Sequence, residues 1–138
     1  MRLLGIDFGL KRIGLAVSDP GGKLAFPLRT IARTTRQAVF DELLRLITEE
    51  KIEGVVLGIP LGPEGEKSLT ARQVLNFRES LERRIDLPVY LVNEAFTSCE
   101  ADTIMNERGL GHDRKKQALD QLAAVLILET FMSRGKGQ

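Results

Sequence analysis

Three carboxylates stand where an ionised group is costly to keep. Asp7 closes the apolar run Leu3 to Phe8, and strand alternation puts it on the same face as Leu3 and Gly5. A carboxylate there needs a cation, a metal or hydrogen bonds to offset its lost hydration. Glu94 directly follows the apolar strand that ends at Asn93, at the end where open α/β sheets place their ligands. Asp120 has Ala123, Ala124, Ile127 and Phe131 at i+3, i+4, i+7 and i+11, so it projects from the apolar stripe of a helix rather than from its wet face. Each alone also reads as a cap, an ion-pair partner or an edge residue. If the three converge, they form an all-oxygen donor set. With one cysteine and one histidine in the chain, Cys99 and His112, such a set suits Mg²⁺ or Mn²⁺ and disfavours Zn²⁺.

Cations flank two of the three. Lys11 and Arg12 follow Asp7 in a short turn. Arg114, Lys115 and Lys116 occupy the first turn of the last helix, where each opposes the positive end of the helix dipole at a cost of about 0.3–1 kcal/mol. A nucleic-acid phosphate would reverse that sign; an exposed, screened basic cluster is the plain alternative. The formal net charge of +1 hides a pattern. Residues 1–36 carry seven Lys/Arg against two acids, residues 37–107 seven against fourteen, and residues 108–138 six against three. Both basic segments hold a candidate ligand, so the positive termini are expected to flank the carboxylates on one face.

Two motif matches fail on their own chemistry. Asp7-Phe8-Gly9 spells the metal-binding tripeptide of protein kinases, but the chain has no HRD catalytic loop. The segment from Gly58 to Ser68 half matches a phosphate-binding P-loop, yet Glu66 stands where that motif needs Gly. His112 and Cys99 lack ligand-spaced partners and read as a loop residue and a first-turn helix residue.

The elements that must position these groups follow from periodicity. Residues 2–8, 12–18 and 24–31 read as an antiparallel meander, turning at Gly9-Leu10-Lys11 and Pro20-Gly21-Gly22. Thr34 and Gln37 have the spacing of a capping box for a helix running to about Glu50, with Val39, Leu43 and Ile47 on its stripe. Gly54–Ile59 is a buried strand, a helix follows from about Ser68, and Pro88–Asn93 is the last strand. Thr97 caps a helix that Gly109 ends, and Asp113 caps a final helix to about Met132. The order βββαβαβαα gives a mixed α/β sheet with helices on its faces. Gly5, Gly14, Ala16, Ala123 and Ala124 would let the last helix approach the first strands closely.

At 138 residues, 28% charged and 43% hydrophobic, the chain reads as one globular domain over residues 1–138, with 133–138 as a flexible basic tail. A single cysteine excludes an intrachain disulfide framework and fits a reducing, cytoplasmic setting. No apolar run approaches the roughly 20 residues that span a bilayer, so no membrane partner is expected.

The run Gly5-Ile-Asp7-Phe-Gly9-Leu-Lys11-Arg12-Ile-Gly14-Leu-Ala16-Val-Ser-Asp19 resembles the opening of the YqgF family, whose members are assigned to pre-16S rRNA processing and also described as Holliday-junction resolvase-like. Gly58-Ile-Pro60-Leu followed by Gly65, then Asn93 to Ser98, then Lys115-Lys116 with Asp120, Ala123, Ala124, Ile127 and Leu128, resemble its remaining blocks in order and spacing. The resemblance implies an RNase H-like fold, a mixed five-stranded sheet of three antiparallel strands then two parallel ones, flanked by helices. It implies that Asp7, Glu94 and Asp120 meet as catalytic residues and metal ligands, holding two Mg²⁺ or Mn²⁺ ions about 4 Å apart for phosphodiester hydrolysis. Lys11, Arg12, Arg114, Lys115 and Lys116 are then the candidate nucleic-acid contacts. The expected partner is RNA or branched DNA, the protein acting as monomer or homodimer without an organic cofactor. The implied role is 5′-end processing of pre-16S rRNA; junction resolution, or nucleic-acid binding with weakened catalysis, is the alternative. The last of these draws on Asn93 and Ala95, which stand where the family usually has Asp and Arg.

Overall fold

Alternation along the first strand decides the layering of the molecule. In β1 (Leu3–Phe8), Leu4, Ile6 and Phe8 join one apolar core while Leu3 joins a second. The computed structural model describes residues 1–9, 11–60, 69–93 and 112–135, with the backbone alone at 69, 70, 112–117 and 135. β1 pairs antiparallel with β2 (Arg12–Ser18), which pairs antiparallel with β3 (Ala25–Ala32). Helix α1 (Arg36–Glu49) leads to β4 (Gly54–Ile59), and α2 (Leu69–Glu82) leads to β5 (Val89–Asn93). The last helix, α3, spans His112–Gly135. β4 lies parallel to β1 and β5 parallel to β4, giving the strand order β3-β2-β1-β4-β5. This is the expected sheet of three antiparallel strands and two parallel ones. The expected helix between Thr97 and Gly109 falls outside the described residues.

The two cores lie on opposite faces of this sheet. The larger packs Leu4, Ile6, Leu15, Val55 and Leu57 against Val39, Phe40, Leu43 and Leu46 of α1 and Val74, Phe77 and Leu81 of α2. The smaller packs Leu3, Ala16, Val56 and Val92 against Ala124, Ile127, Leu128 and Met132 of α3. At β4, the burial of Gly54–Ile59 on both faces explains its unbroken apolar run.

Three local expectations shift. The α1 cap is Thr35, not Thr34: its extended backbone lets its hydroxyl accept from the Ala38 N–H. Thr34 is still in the chain reversal after β3, its N–H on the Ala32 carbonyl, and Gln37 donates to Asp41 instead of closing a capping box. α3 begins at His112, so His112 is helical rather than in a loop, and Asp113 lies inside the first turn rather than at the cap. The helix continues past Met132 to Gly135, taking Ser133 and Arg134 out of the expected tail; both are exposed, so their polarity costs the helix little.

The β2–β3 turn has its own anchor. The Asp19 carboxylate accepts from the N–H groups of Leu24 (2.8 Å), Lys23 (2.7 Å) and Gly21 (3.3 Å). These bonds, led by those from Leu24 and Lys23, hold its pKa below the ordinary carboxylate value.

Candidate active site

Gly14 is the point at which the helix carrying Asp120 crosses the hairpin that carries Asp7. It is the Cα partner of Asp7 in the β1–β2 ladder, and directly paired residues face the same side of a sheet. A Cβ on Gly14 would lie 2.9 Å from the Asp120 Cα and closer still to its carbonyl. Only glycine lets α3 cross β2 at this distance. One turn and then two turns along α3, a Cβ on Gly5 would meet the Ala124 carbonyl at 2.9 Å and Leu128 Cγ at 2.5 Å. The small residues singled out in the sequence therefore form the seam along which α3 settles on the sheet. Asp7 shares the face of Leu3 and Gly5, so it is on the side of the sheet that α3 covers.

The charge on Asp120 is answered within the hairpin. Arg12, two residues from Gly14 on the same face of β2, donates from Nε to Asp120 Oδ2 at 2.7 Å. The side chains are 31% and 20% exposed, so the pair is half-screened by water. The sequence places Arg12 near Asp7 and offers it as a phosphate contact; in the structure its Nε is committed to the carboxylate of Asp120. A second tie, from the Gln121 side-chain amide to the Thr30 hydroxyl at 3.1 Å, fixes the same turn of α3 to β3. No sequence pattern announces that contact, because it joins two elements far apart in the chain.

α3 crosses the sheet obliquely, from β2 and β3 at Asp120 and Gln121 to Gly5 of β1 at Ala124 and Leu128, with the part of the helix before Asp120 leading away from Gly5. Arg114, Lys115 and Lys116 are in that stretch, with Lys116 about 6 Å before Asp120 along the axis; their side chains lie outside the described residues. Lys11 is exposed in the β1–β2 turn, just after the end of β1 that carries Asp7. Glu94 also lies outside the described residues. The strand before it, β5, ends at Asn93, paired with Ile59 of β4, at the same edge of the sheet as the end of β1.

Among the described residues no cluster of three or more His, Cys, Asp or Glu side chains is present. What is present is two carboxylates from opposite ends of the chain on one seam. Their hard oxygens match the preference of Mg²⁺ or Mn²⁺. No described helix is long and apolar enough to cross a membrane.

Comparison with known proteins agrees with this architecture. A curated protein of Maridesulfovibrio salexigens named "Putative pre-16S rRNA nuclease" is 51% identical over 134 residues, covering 97% of this chain and 99% of its own. One of the same name from Nitratidesulfovibrio vulgaris (strain DP4) is 50% identical over 133 residues, covering 96% and 94%. Among solved structures, the chain is similar to T. thermophilus RuvC in complex with Holliday junction substrate, at a TM-score of 0.59 and 21% identity over 98% of this chain and 96% of that one. It is similar also to the fowlpox virus resolvase in complex with Holliday junction DNA, at 0.59 and 15% over 97% and 98%. These likenesses place the sheet and its helices in the RNase H-like fold. Residues 1–134 match the family model described as "RuvX: Holliday junction resolvase", and the chain belongs to that nuclease family, the one its sequence blocks resemble.

Proposed function

We propose that this protein is a metal-dependent nuclease that hydrolyses phosphodiester bonds in structured RNA, with 5′-end maturation of pre-16S rRNA as its role in the cytoplasm. The observation that carries the reading is the seam at Gly14, the ladder partner of Asp7, where the Asp120 backbone crosses β2 and Arg12 holds the Asp120 carboxylate. Asp7, Glu94 and Asp120 are the proposed ligands. A pair of Mg²⁺ or Mn²⁺ ions there would supply an activated water and a counter-charge for the leaving oxygen. The chain's own contributions are positional. The close crossing of α3 over Gly14 fixes Asp120 against β2, the neighbour of β1, and Arg12 orients its carboxylate through the Nε bond. Lys11, Arg12, Arg114, Lys115 and Lys116 draw the phosphate chain to that edge.

The names of the relatives favour rRNA; the family description and the structural neighbours favour a four-way junction. Both substrates present the same phosphates and differ in shape. The discriminating experiment is cleavage of a pre-16S rRNA 5′ fragment beside a four-way DNA junction, each with Mg²⁺ and with Mn²⁺, wild type against Asp7→Asn. Metal-dependent RNA cleavage lost in the variant supports the reading. Junction cleavage without RNA cleavage moves the assignment to resolution, and undiminished cleavage by Asp7→Asn refutes the site.

A further inference from the structure

The face of the sheet opposite the carboxylates carries a cleft that the hydrolytic site does not use. It encloses about 390 Å³, within the roughly 300–1,000 Å³ of small-molecule sites. Its floor is aromatic: the Phe8 and Phe77 rings lie 4.6 Å apart and the Phe77 and Phe40 rings 5.4 Å apart, so three of the six phenylalanines of the chain meet here. Its rim is polar and cationic, with Arg33 and Arg36 before and at the start of α1 and Asn76 on α2. None of its described lining residues is acidic. The Arg33 guanidinium lies over the Phe8 ring at 4.4 Å, and Arg36 is turned toward Ser80 by a hydrogen bond.

We propose that this cleft receives one unpaired nucleotide of the nucleic-acid chain whose phosphodiester bond is presented to Asp7 and Asp120, a proposal that rests on the nuclease reading. Three features select that occupant. A planar guanidinium backed by an aromatic ring is a stacking platform for a base, and unpaired bases are bound on such platforms irrespective of sequence. The two guanidinium groups of the rim suit the attached phosphate, and the Asn76 amide offers both a donor and an acceptor to a base edge. Position supplies the link to the chemistry. Phe8 follows Asp7 in β1, about 3.4 Å along the strand and on the opposite face. Arg33 donates to the Gly9 carbonyl at 2.9 Å, and Gly9 N–H donates to the carbonyl of Arg12, the residue that holds Asp120. The end of the β1–β2 hairpin is thus a ridge with carboxylates on one side and the cleft on the other. A strand crossing the ridge touches both, whereas a base held in a duplex cannot enter. The cleft therefore selects substrates with an unpaired nucleotide next to the scissile bond.

Binding without metal tests the cleft separately from cleavage. In EDTA, the full chain is titrated by fluorescence anisotropy with a 12-nucleotide single-stranded RNA and with the blunt duplex of the same sequence. Asn76→Trp fills the cleft from an exposed helix position without changing charge, and Arg33→Gln removes the platform cation. Circular dichroism melting confirms that both variants fold. The expected result for Asn76→Trp is about tenfold weaker single-strand binding, with duplex binding within twofold of wild type, and Arg33→Gln losing more on the single strand than on the duplex. Unchanged single-strand affinity in Asn76→Trp, or an equal loss on both ligands in both variants, overturns the proposal. Asp7→Asn cleaving like wild type would instead remove the nuclease reading and leave the binding result standing.

Discussion

On the α1/α2 face, β1 contributes Leu4, Ile6 and Phe8; on the α3 face it contributes Leu3, Gly5 and Asp7. The first face is filled by large side chains, and the helices stand off at the distance those side chains set. On the second, glycines at 5 and 14 and alanines at 16 and 124 let backbone approach backbone. The difference teaches what the approach is for. Standard packing would bury the sheet on either side, but close contact brings the Asp120 turn against the strand end that carries Asp7. The face with less apolar volume is the one that carries the carboxylates.

That contrast can be broken most forcefully by exchanging the two kinds of residue. Leu43→Ala in α1, fully buried, should cost about 2–5 kcal/mol through lost burial and the cavity left behind, while the remaining folded protein cleaves at the wild-type rate. Gly14→Ala adds a single methyl group and should cost about 1–3 kcal/mol or more, because the new Cβ meets the backbone of Asp120 rather than a side chain that can swing away. It should also lower cleavage per folded molecule, which Leu43→Ala should not. Urea denaturation read beside cleavage of a fixed folded concentration separates the two, and equal effects on activity would erase the distinction between the faces.

A smaller effect sharpens the electrostatics of the seam. Arg12→Gln removes the cation beside Asp120 and should cost up to about 1 kcal/mol of stability, since both partners are partly exposed. The difference from wild type should shrink in 1 M salt; a difference that salt does not touch would mean that Arg12 acts through packing alone. The smallest effect concerns the turn anchored by Asp19, away from the seam. Its folded pKa is depressed below the ordinary value of 3.8, so its contribution is present above that value and is lost as pH falls through the folded pKa. Comparing urea midpoints of wild type and Asp19→Asn from pH 7 to pH 2, the wild-type advantage should be constant near neutrality and vanish in acid. An advantage that grows toward low pH would reverse the assigned sign.

Much of this arrangement is legible in the sequence because both periodicities are strong where they matter. Alternation in Leu3–Phe8 assigns Asp7 to the face of Gly5, and the i+3, i+4, i+7 pattern after Asp120 aims that residue at the sheet. The small residues foretell the seam, since a strand and a helix that both lack bulk at facing positions have little reason to stand apart. Adjacent threonines are harder: Thr34 and Thr35 offer the same hydroxyl, and only the course of the chain leaving β3 decides which one caps α1. Polarity at Ser133 and Arg134 reads as a tail and places the end of α3 too early, because an exposed helical turn accommodates such residues. The Arg12–Asp120 pair and the phenylalanine cleft are invisible for a common reason. Both join residues from separate elements, and neither leaves a local pattern.

The proposed pairing of Asp7 and Asp120 in one hydrolytic site joins residues from opposite ends of the chain. Its most direct measurement is a double-mutant cycle on metal-dependent RNA cleavage with Asp7→Asn, Asp120→Asn and the pair together. Each single variant should lose about a thousandfold in rate, about 4 kcal/mol of transition-state stabilisation, and the double variant should lose no more than the worse single, as groups acting as a unit do. Wild-type rates in either single variant, or losses that multiply in the double, would contradict it.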